Sequence, residues 1–552
     1  MAEYLHFSRD SRLYMEKDGR LWSIPVLDGF SFSQATNSSE ITLNEMEDSS
    51  GRSRRGRKMF TDSLSAAEWS FSTYVRPFKS TGNSGNSLTG KTTIKGRADS
   101  TADHQHAVEE ALWVAMAGKN VYLPTTGKFK HGSAGGAISS ASLTVTQGSG
   151  NAVTDADRSE GTYTIAIPTA SSGTSTGATV SGGSTQAGTG AVIQVAVNGS
   201  GTASISAVTE RGTQFDSANK IIIDSELIGG AAGDDNLSID VTSESLNSDA
   251  TDMDINFYDS NRASLGTFNL YFIFSDRSAG RLLYKVSNAV VNEAAIDFDI
   301  DGIATINWSG MAGQIKEVVT GTGAGQVTAQ DGEPTAGAAG ALWIDTNDSD
   351  KLHISTAAGS TSWWANIDEG STSTGNFIRN RLTNLTLAPE TTFQSTTTFD
   401  REGDGEGDDN YRTSYSVAIT GGNVTISNNI SYLTPEELGK VNQPIEHVTG
   451  TRTVSGSLTC YLASSDAATN RSKDLFQDLV SDINTVINKF AITLQVGGTD
   501  ATKPRFEISL PTAHLEVPSH SIEDVISLET NFHGIGSTVG EGDEVTLKYI
   551  GV

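Results

Sequence analysis

The sequence predicts a mainly β protein built from two tandem β-sandwich or barrel units, each with one flanking helix, interrupted by smaller inserted β domains. Three observations predict it. Only 36% of the 552 residues are hydrophobic while 57 are glycine, a balance that suits many short strands and turns better than a helical or doubly wound α/β chain. Thr and Ser recur between short apolar runs that alternate with period two. An ordered set of segments also occurs twice along the chain.

The first copy opens with a strand at Asp28–Ser33, followed by the alternating run Trp69–Val75. A helix is predicted over Ala107–Met116, where Val108, Ala111, Leu112 and Ala115 fall three and four apart and make one apolar face. Strands resume at Phe268–Phe274 and Leu282–Val286. The second copy repeats the order: Gly422–Ser427, Ser457–Leu462 in the apolar phase of Ser70–Val75, a helix over Lys473–Val480, then Phe490–Val496 and Arg505–Ser509. Last, Ile522–Leu528 mirrors Ile300–Ile306 as a strand, and from the Tyr284/Phe506 pair onward the spacing between copies stays at 222.

Two stretches break the repeat. Residues 131–250 are rich in Gly, Ser, Thr and Ala, with short strands expected at Ala141–Val145, Thr162–Ile167, Ala191–Val197 and Lys220–Ile223. They read as an inserted β-sandwich. With 12 acidic and 3 basic residues, this insert suits a solvated exterior. Residues 320–372 start Gly-rich and continue through Gly340–Thr346, Lys351–Ser355 and Trp363-Trp364, the pattern of a small hairpin module. The expected division is therefore 1–130 and 251–319 for the first unit, 131–250 and 320–372 for the inserts, and 373–552 for the second unit. Both inserts occupy loop positions and are expected to project outward and to be dispensable.

The charge excludes some partners. With 66 Asp plus Glu against 38 Lys plus Arg, the net charge is −28. A diffuse acidic surface repels phosphates, so tight nucleic-acid binding is disfavoured, while a surface past which DNA slides would suit it. The lone Cys460 lies in the strand pattern Leu458–Leu462 and reads as a core thiol. No secretory leader and no apolar run of membrane-spanning length is seen, so synthesis and folding in a reducing cytoplasm are expected, with no membrane contact by the chain itself.

Motifs with chemical potential are weak. Gly85–Thr92 fits the P-loop pattern, but polar residues precede it and β-branched, Gly-broken sequence follows, so a surface loop is expected. Asp297–Gly302 resembles the start of a calcium loop, but Trp308 stands where the bidentate Glu belongs. His104 and His106 have no nearby partner set and are expected to be solvated. No catalytic, metal or cofactor residue is assigned, and an enzyme is not expected. One charged pairing is less bland: Arg52, Arg54, Arg55, Arg57 and Lys58 form a basic cluster between two strands. A run containing Asp404, Glu406, Asp408 and Asp409 is its acidic counterpart.

Several segments resemble the bacteriophage tail tube proteins. Arg505–His520 leading into Ile522–Leu528 and the closing strand Glu544–Tyr549 carry the resemblance most clearly, joined by Thr449–Leu458, Leu27–Ser33 and Ile303–Gly310. It spans roughly 20–120, 255–315 and 380–552. It implies a structural subunit whose sheets join around rings that stack into a hollow, DNA-conducting tube. Because the unit occurs twice, the resemblance is to the siphophage type with duplicated subunits in trimeric, pseudo-hexameric rings. Implied partners are further copies of the chain, a tape measure protein, and tail terminator and tip proteins, with DNA passing through unbound; the place of action is the virion tail. A ring-stacking role for the basic cluster and its acidic counterpart is the expectation for a site. The second reading is a modular β adhesin or fibre, which would explain the inserts but would not need the duplicated unit.

Overall fold

The computed structural model describes residues 6–551 except for a set of segments, the longest being 45–54, 82–101, 168–177, 242–252, 390–413 and 480–488. The described chain is mainly β.

Strands β1 (Ser11–Lys17), β2 (Arg20–Ile24), β3 (Ser31–Asn44) and β4 (Arg55–Tyr74) precede helix α1 (Glu110–Ala117). After it come β5 (Met253–Asn256), β6 (Phe268–Phe274), β7 (Leu282–Asp299), β8 (Thr305–Ala312) and β9 (Gln314–Glu317). The later part supplies β10 (Asn384–Pro389), β11 (Tyr415–Val417), β12 (Ile419–Ser427) and β13 (Thr453–Tyr461), then helix α2 (Ser472–Leu479). It ends with β14 (Phe490–Val496), β15 (Arg505–Leu515), β16 (Ser519–Ile522), β17 (Ile526–Gly534) and β18 (Thr546–Ile550).

Hydrogen-bonded neighbours define two kinds of layer. One layer runs β3–β4–β8–β7–β12–β13–β17–β16, eight strands, every contact antiparallel. Two layers pack behind it: β2–β1–β6–β7–β9, extended beyond β2 by Ile367–Asp368, and β11–β10–β14–β15–β18–β5. The long strand β7 serves both, its first half in the rear layer and its second half in the front one. The change of partners falls beside Asn288, whose positive φ of 54° and neighbouring irregularity at Ala289 turn the strand.

Alternation explains the layering. Along β8, Ile306, Trp308 and Ala312 are buried while Asn307 and Ser309 point to the other face. The buried set packs on the rear strands through Leu13, Met15, Trp22 and Phe272 in one part, and Leu385, Ile492 and Phe506 in the other.

Helix α1 is buried on every side rather than along one face, unlike the amphipathic helix the spacing predicts. Its acidic residue is not wasted there, because Glu110 accepts from the Ala107 N–H (3.1 Å) and pairs with His106 (2.9 Å). His106 is thereby buried, against the expectation of a solvated imidazole. Helix α2 keeps the amphipathic form, with Leu475 and Leu479 inward and Lys473 outward.

The two halves pair their strands in the same order, but the residue step between them is not constant. Phe268 faces Ala289 and Phe490 faces Ala513, so β6 to β14 is a step of 222 but β7 to β15 is a step of 224. The two residues are recovered in the following turn, which occupies 300–304 in one place and 523–525 in the other. Ile522–Leu528 and Ile300–Ile306 are thus hairpin turns with strand ends rather than strands, because each closes an antiparallel pair.

Residues 143–241 fold as three- and four-stranded sheets around their own core, including Ile165, Ile193, Val195, Phe215, Ile221 and Ile239. Residues 327–354 form a three-stranded sheet whose Val327, Leu342, Ile344, Leu352 and Ile354 share one cluster with Tyr14, Leu21, Tyr271, Ile273 and Leu283 of the rear layer. No helix among the described residues is long and apolar enough to cross a membrane.

Candidate functional site

The eight-stranded layer presents one continuous polar face. Register places its residues in rows across the strands: Ser31, Ser70, Ser309, Glu293 and Ser427 in one, Tyr74, Thr305, Asp297, Asn423, Ser457 and Asn531 in another. Short polar side chains tie the rows together. Ser72 donates to Asn307 Oδ1 (2.6 Å), and Asn307 Nδ2 donates to Asp297 Oδ2 (2.6 Å). The Ser457 N–H donates to Asn423 Oδ1 (2.9 Å), and Asn531 Nδ2 to Glu516 Oε2 (2.8 Å). Away from the outer part of the β3–β4 hairpin, the ionisable residues on this face are acidic apart from His533: Glu68, Glu293, Asp297, Asp299, Glu516 and Glu529, with no Lys or Arg among the described residues there. Partial burial, reinforced by neighbouring Asp299, pushes the Asp297 carboxyl up, against the pull of the Asn307 hydrogen bond. The arrangement offers polar groups already engaged with one another and a negative potential. It can repel phosphates and hold water, and away from that hairpin it has no cations to grip a nucleic acid.

Two edges bound this face. Along Ser31–Ser33, β3 is paired on one side only among the described residues, with β4. At the far end β16 pairs, among the described residues, only with β17, and all four of its residues are exposed. In the middle, by contrast, β7 and β12 join the two halves over Glu293↔Ser427 to Asp299↔Gly421.

The β3–β4 hairpin is the second feature. It stays paired from Ser31↔Ser70 to Asn44↔Arg55. Its base is held by Asn442, which accepts from the Leu64 N–H (2.8 Å) and donates its own N–H to Asp62 O (3.1 Å). Beyond that anchor, Ser39–Asn44 and Arg55–Phe60 run on as a two-stranded arm of about 20 Å. Arg57 lies on the arm within 3.8 Å of Glu40, both well exposed, and Lys58 sits over the Phe60 ring at 4.9 Å. Met59 and Phe60 are 58% and 43% exposed. Arg55 is at the arm's end. Arg52 and Arg54 lie outside the described residues, as do Asp404, Glu406, Asp408 and Asp409 and the P-loop-like Gly85–Thr92. The structure therefore brings Arg57 to Glu40, a partner on its own hairpin that the sequence pattern did not single out.

A third cluster was invisible in sequence because its members are far apart. Trp113 Nε1 donates to Tyr549 Oη (2.7 Å), and the Tyr549 hydroxyl donates to Glu109 Oε1 (2.7 Å). The Arg76 N–H also reaches Glu109 (3.4 Å). Burial pushes the Glu109 carboxyl up to about 7, with the Tyr549 hydrogen bond opposing the shift. Burial likewise pushes the Cys460 thiol up to about 11, so this core thiol is a poor nucleophile. The Glu109 cluster ties α1 to the last strand and lies in the packed interior, where it serves cohesion.

No family model matches the chain. Among curated proteins it is similar to "Tail tube protein pb6" of Escherichia phage T5, 24% identical over 527 residues, covering 95% of this chain and 70% of that protein.

Proposed function

We propose that this chain, a siphophage tail tube protein, closes its ring with three copies, each contributing two versions of one tube unit. It is a structural subunit of the tube and a component of the virion tail. The observation that carries the three-chain reading is the eight-stranded layer, whose polar face is free of Lys and Arg away from the β3–β4 arm. Strands about 4.8 Å apart make an arc of about 38 Å per chain. Three arcs close on a circle about 37 Å across before side chains and strand tilt, and six on about 73 Å. The smaller circle suits one DNA double helix with its water; the larger leaves it loose. Facing inward, the polar surface would let phosphates pass without salt-sensitive adhesion. The shared pairing order of the two halves supports duplication, and two linked units would give six similar positions from three chains.

The division into a first unit (1–130 and 251–319), a second unit (373–552) and two outward inserts belongs to the same reading. So does a purely structural, non-catalytic role. The arm carrying Arg55, Arg57 and Lys58, with Arg52 and Arg54 just before it in the sequence, would reach the neighbouring ring and meet the carboxylates of Asp404, Glu406, Asp408 and Asp409. Single exposed ion pairs contribute only about 0–1 kcal/mol. Repeated around a ring, they would fix the register of stacking rather than its strength. A tape measure protein inside the tube, with terminator and tip proteins at its ends, completes the set of partners.

Electron microscopy of the purified protein with mass measurement of single rings tests this. Rings of three chains, stacking into tubes with the polar face inward, are expected. Rings of six, or a bore lined with Lys and Arg, would overturn it.

A further inference from the structure

The joint inside the chain gives the geometry of the joint between chains. β7 meets β12 with Ala295 opposite Thr425, Ile296 opposite Val424, Asp297 opposite Asn423 and Phe298 opposite Gly422. Each partner has a counterpart in the other half, fixed by pairing and not by sequence likeness. β6 and β14 lie 222 apart, and their partners give the step from β7 to β15–β16 as 224. On the other side, Ser31 and Phe32 face Ser70 and Trp69 of β4 as Asn423 and Val424 face Ser457 and Gly456 of β13. The step from β3 to β12 is therefore 392, with β4 and β13 held in register against β8 and β17. The counterpart of the β7 edge is β16, and that of the β12 edge is the start of β3 at Ser31–Ser33 with Phe30 just before it. Among the described residues, these two stretches of the polar layer stand unpaired on one side.

We propose that β16 of one chain adds to β3 of the next, antiparallel, in the register of the internal joint: Ser519 opposite Ser33, His520 opposite Phe32, Ser521 opposite Ser31 and Ile522 opposite Phe30. This rests on the ring reading above and goes beyond it by fixing the edges and the register. Exposure supports it independently. Phe298, covered by Gly422 of β12, is 2% exposed, whereas Ile522 at the matching position is 78% exposed. The difference is the strand laid against the first and not yet against the second, and Phe30 is the apolar residue the register brings to Ile522. Serines at 31, 33, 519 and 521 continue the polar rows across the seam, as Asp297 and Asn423 do inside the chain. An unpaired strand edge of this length is a ready template for another strand, and closing the ring satisfies it.

The spacing of 222 that sequence likeness alone suggests would slip this joint by two residues, setting Ser519 opposite Ser31. Cysteine pairs separate the two registers, because residues facing across an antiparallel pair lie within disulfide reach and residues two places off do not. Assembled rings of Ser31→Cys/Ser521→Cys, oxidised and run without reductant, should shift most of the chain into covalently closed rings. Ser33→Cys/Ser519→Cys should behave alike, and Ser31→Cys/Ser519→Cys should cross-link at least tenfold less. Native Cys460 stays in place, being buried. Preferential cross-linking of the slipped pair, or none in rings visible by microscopy, would overturn the proposal. Amide exchange on the unmodified protein gives a second measure: residues 30–33 and 519–522 should gain protection on assembly, and equal exchange in free and assembled chain would also overturn it. Ring mass is read separately. Covalent rings of six chains would sustain this joint while removing the three-chain reading; rings of three without the link would do the reverse.

Discussion

The two interruptions of the tube framework differ in whose core they use. The 143–241 region buries Ile193, Val195, Ile221 and Ile239 among its own residues, and none of them belongs to the tube core. The 327–354 region buries Leu342, Ile344, Leu352 and Ile354 against Tyr14, Leu21, Tyr271, Ile273 and Leu283, so its core is half borrowed. Ile367–Asp368, just after it, also pairs with Leu21–Trp22 as a parallel strand. An insertion at a loop is thermodynamically free of its host only when the apolar surface it covers is its own. The expectation that both are dispensable therefore divides.

The largest effect should come from replacing 320–372 by a short polar linker. Uncovering Tyr14, Leu21, Tyr271, Ile273 and Leu283 should cost about 5 kcal/mol or more, at roughly 1.5–3 kcal/mol for each fully buried apolar side chain. A fall in soluble yield and a melting temperature lowered by more than 10 °C would show it; a parent-like melting curve would break the distinction drawn here. Next, Ile193→Ala should destabilise the larger insert by about 2–5 kcal/mol and nothing else. Amide exchange should quicken across 143–241 while β6, β8 and β14 keep their protection, and loosening of those strands would mean the two cores are coupled.

The tube core has its own reporter. Glu109 is raised to about 7 by burial, so the folded state binds its proton more tightly than the unfolded chain does. Its stabilising contribution is present below about pH 4.5 and is progressively lost as pH climbs towards and through 7, by about 3 kcal/mol in all. Glu109→Gln should flatten that part of the melting-temperature profile between pH 5 and 8, and an unchanged slope would assign the dependence elsewhere. The smallest effect belongs to removing 131–250: the core melting temperature should move by no more than a few degrees and tubes should still form.

Sequence carried β13 and β14 well, because buried and less buried residues alternate along them. It failed at α1, where burial on every side erases periodicity and Glu109 and Glu110 look like a solvated face until Tyr549 and His106 are brought to them. The two-residue shift between β7 and β15 was hidden for another reason. A slip of two preserves the in-and-out phase of every side chain, so apolar pattern cannot report it and only hydrogen-bond partners can. The polar face was legible residue by residue as Ser, Thr and Asn alternation. Its continuity across both halves was not, since that depends on the β7–β12 joint between residues over 120 apart in the chain.

Two glycines show how the chain avoids confusing its own halves. In the first, Gly310 leaves room for Trp69 across the strand pair, where an added Cβ would stand 2.4 Å from the indole. In the second the roles are exchanged between strands: Gly456 leaves room for Phe532, again with 2.4 Å to an added Cβ. Tandem units of like pattern invite misassembly while the chain is emerging, with a strand of one closing the sheet of the other. Here such an error carries a steric signature. β4 laid against β17 would drive Trp69 into Phe532, and β13 laid against β8 would set Gly456 against Gly310 over a void. Only the correct partners fill that volume once, so each half carries its large ring and its glycine on opposite strands.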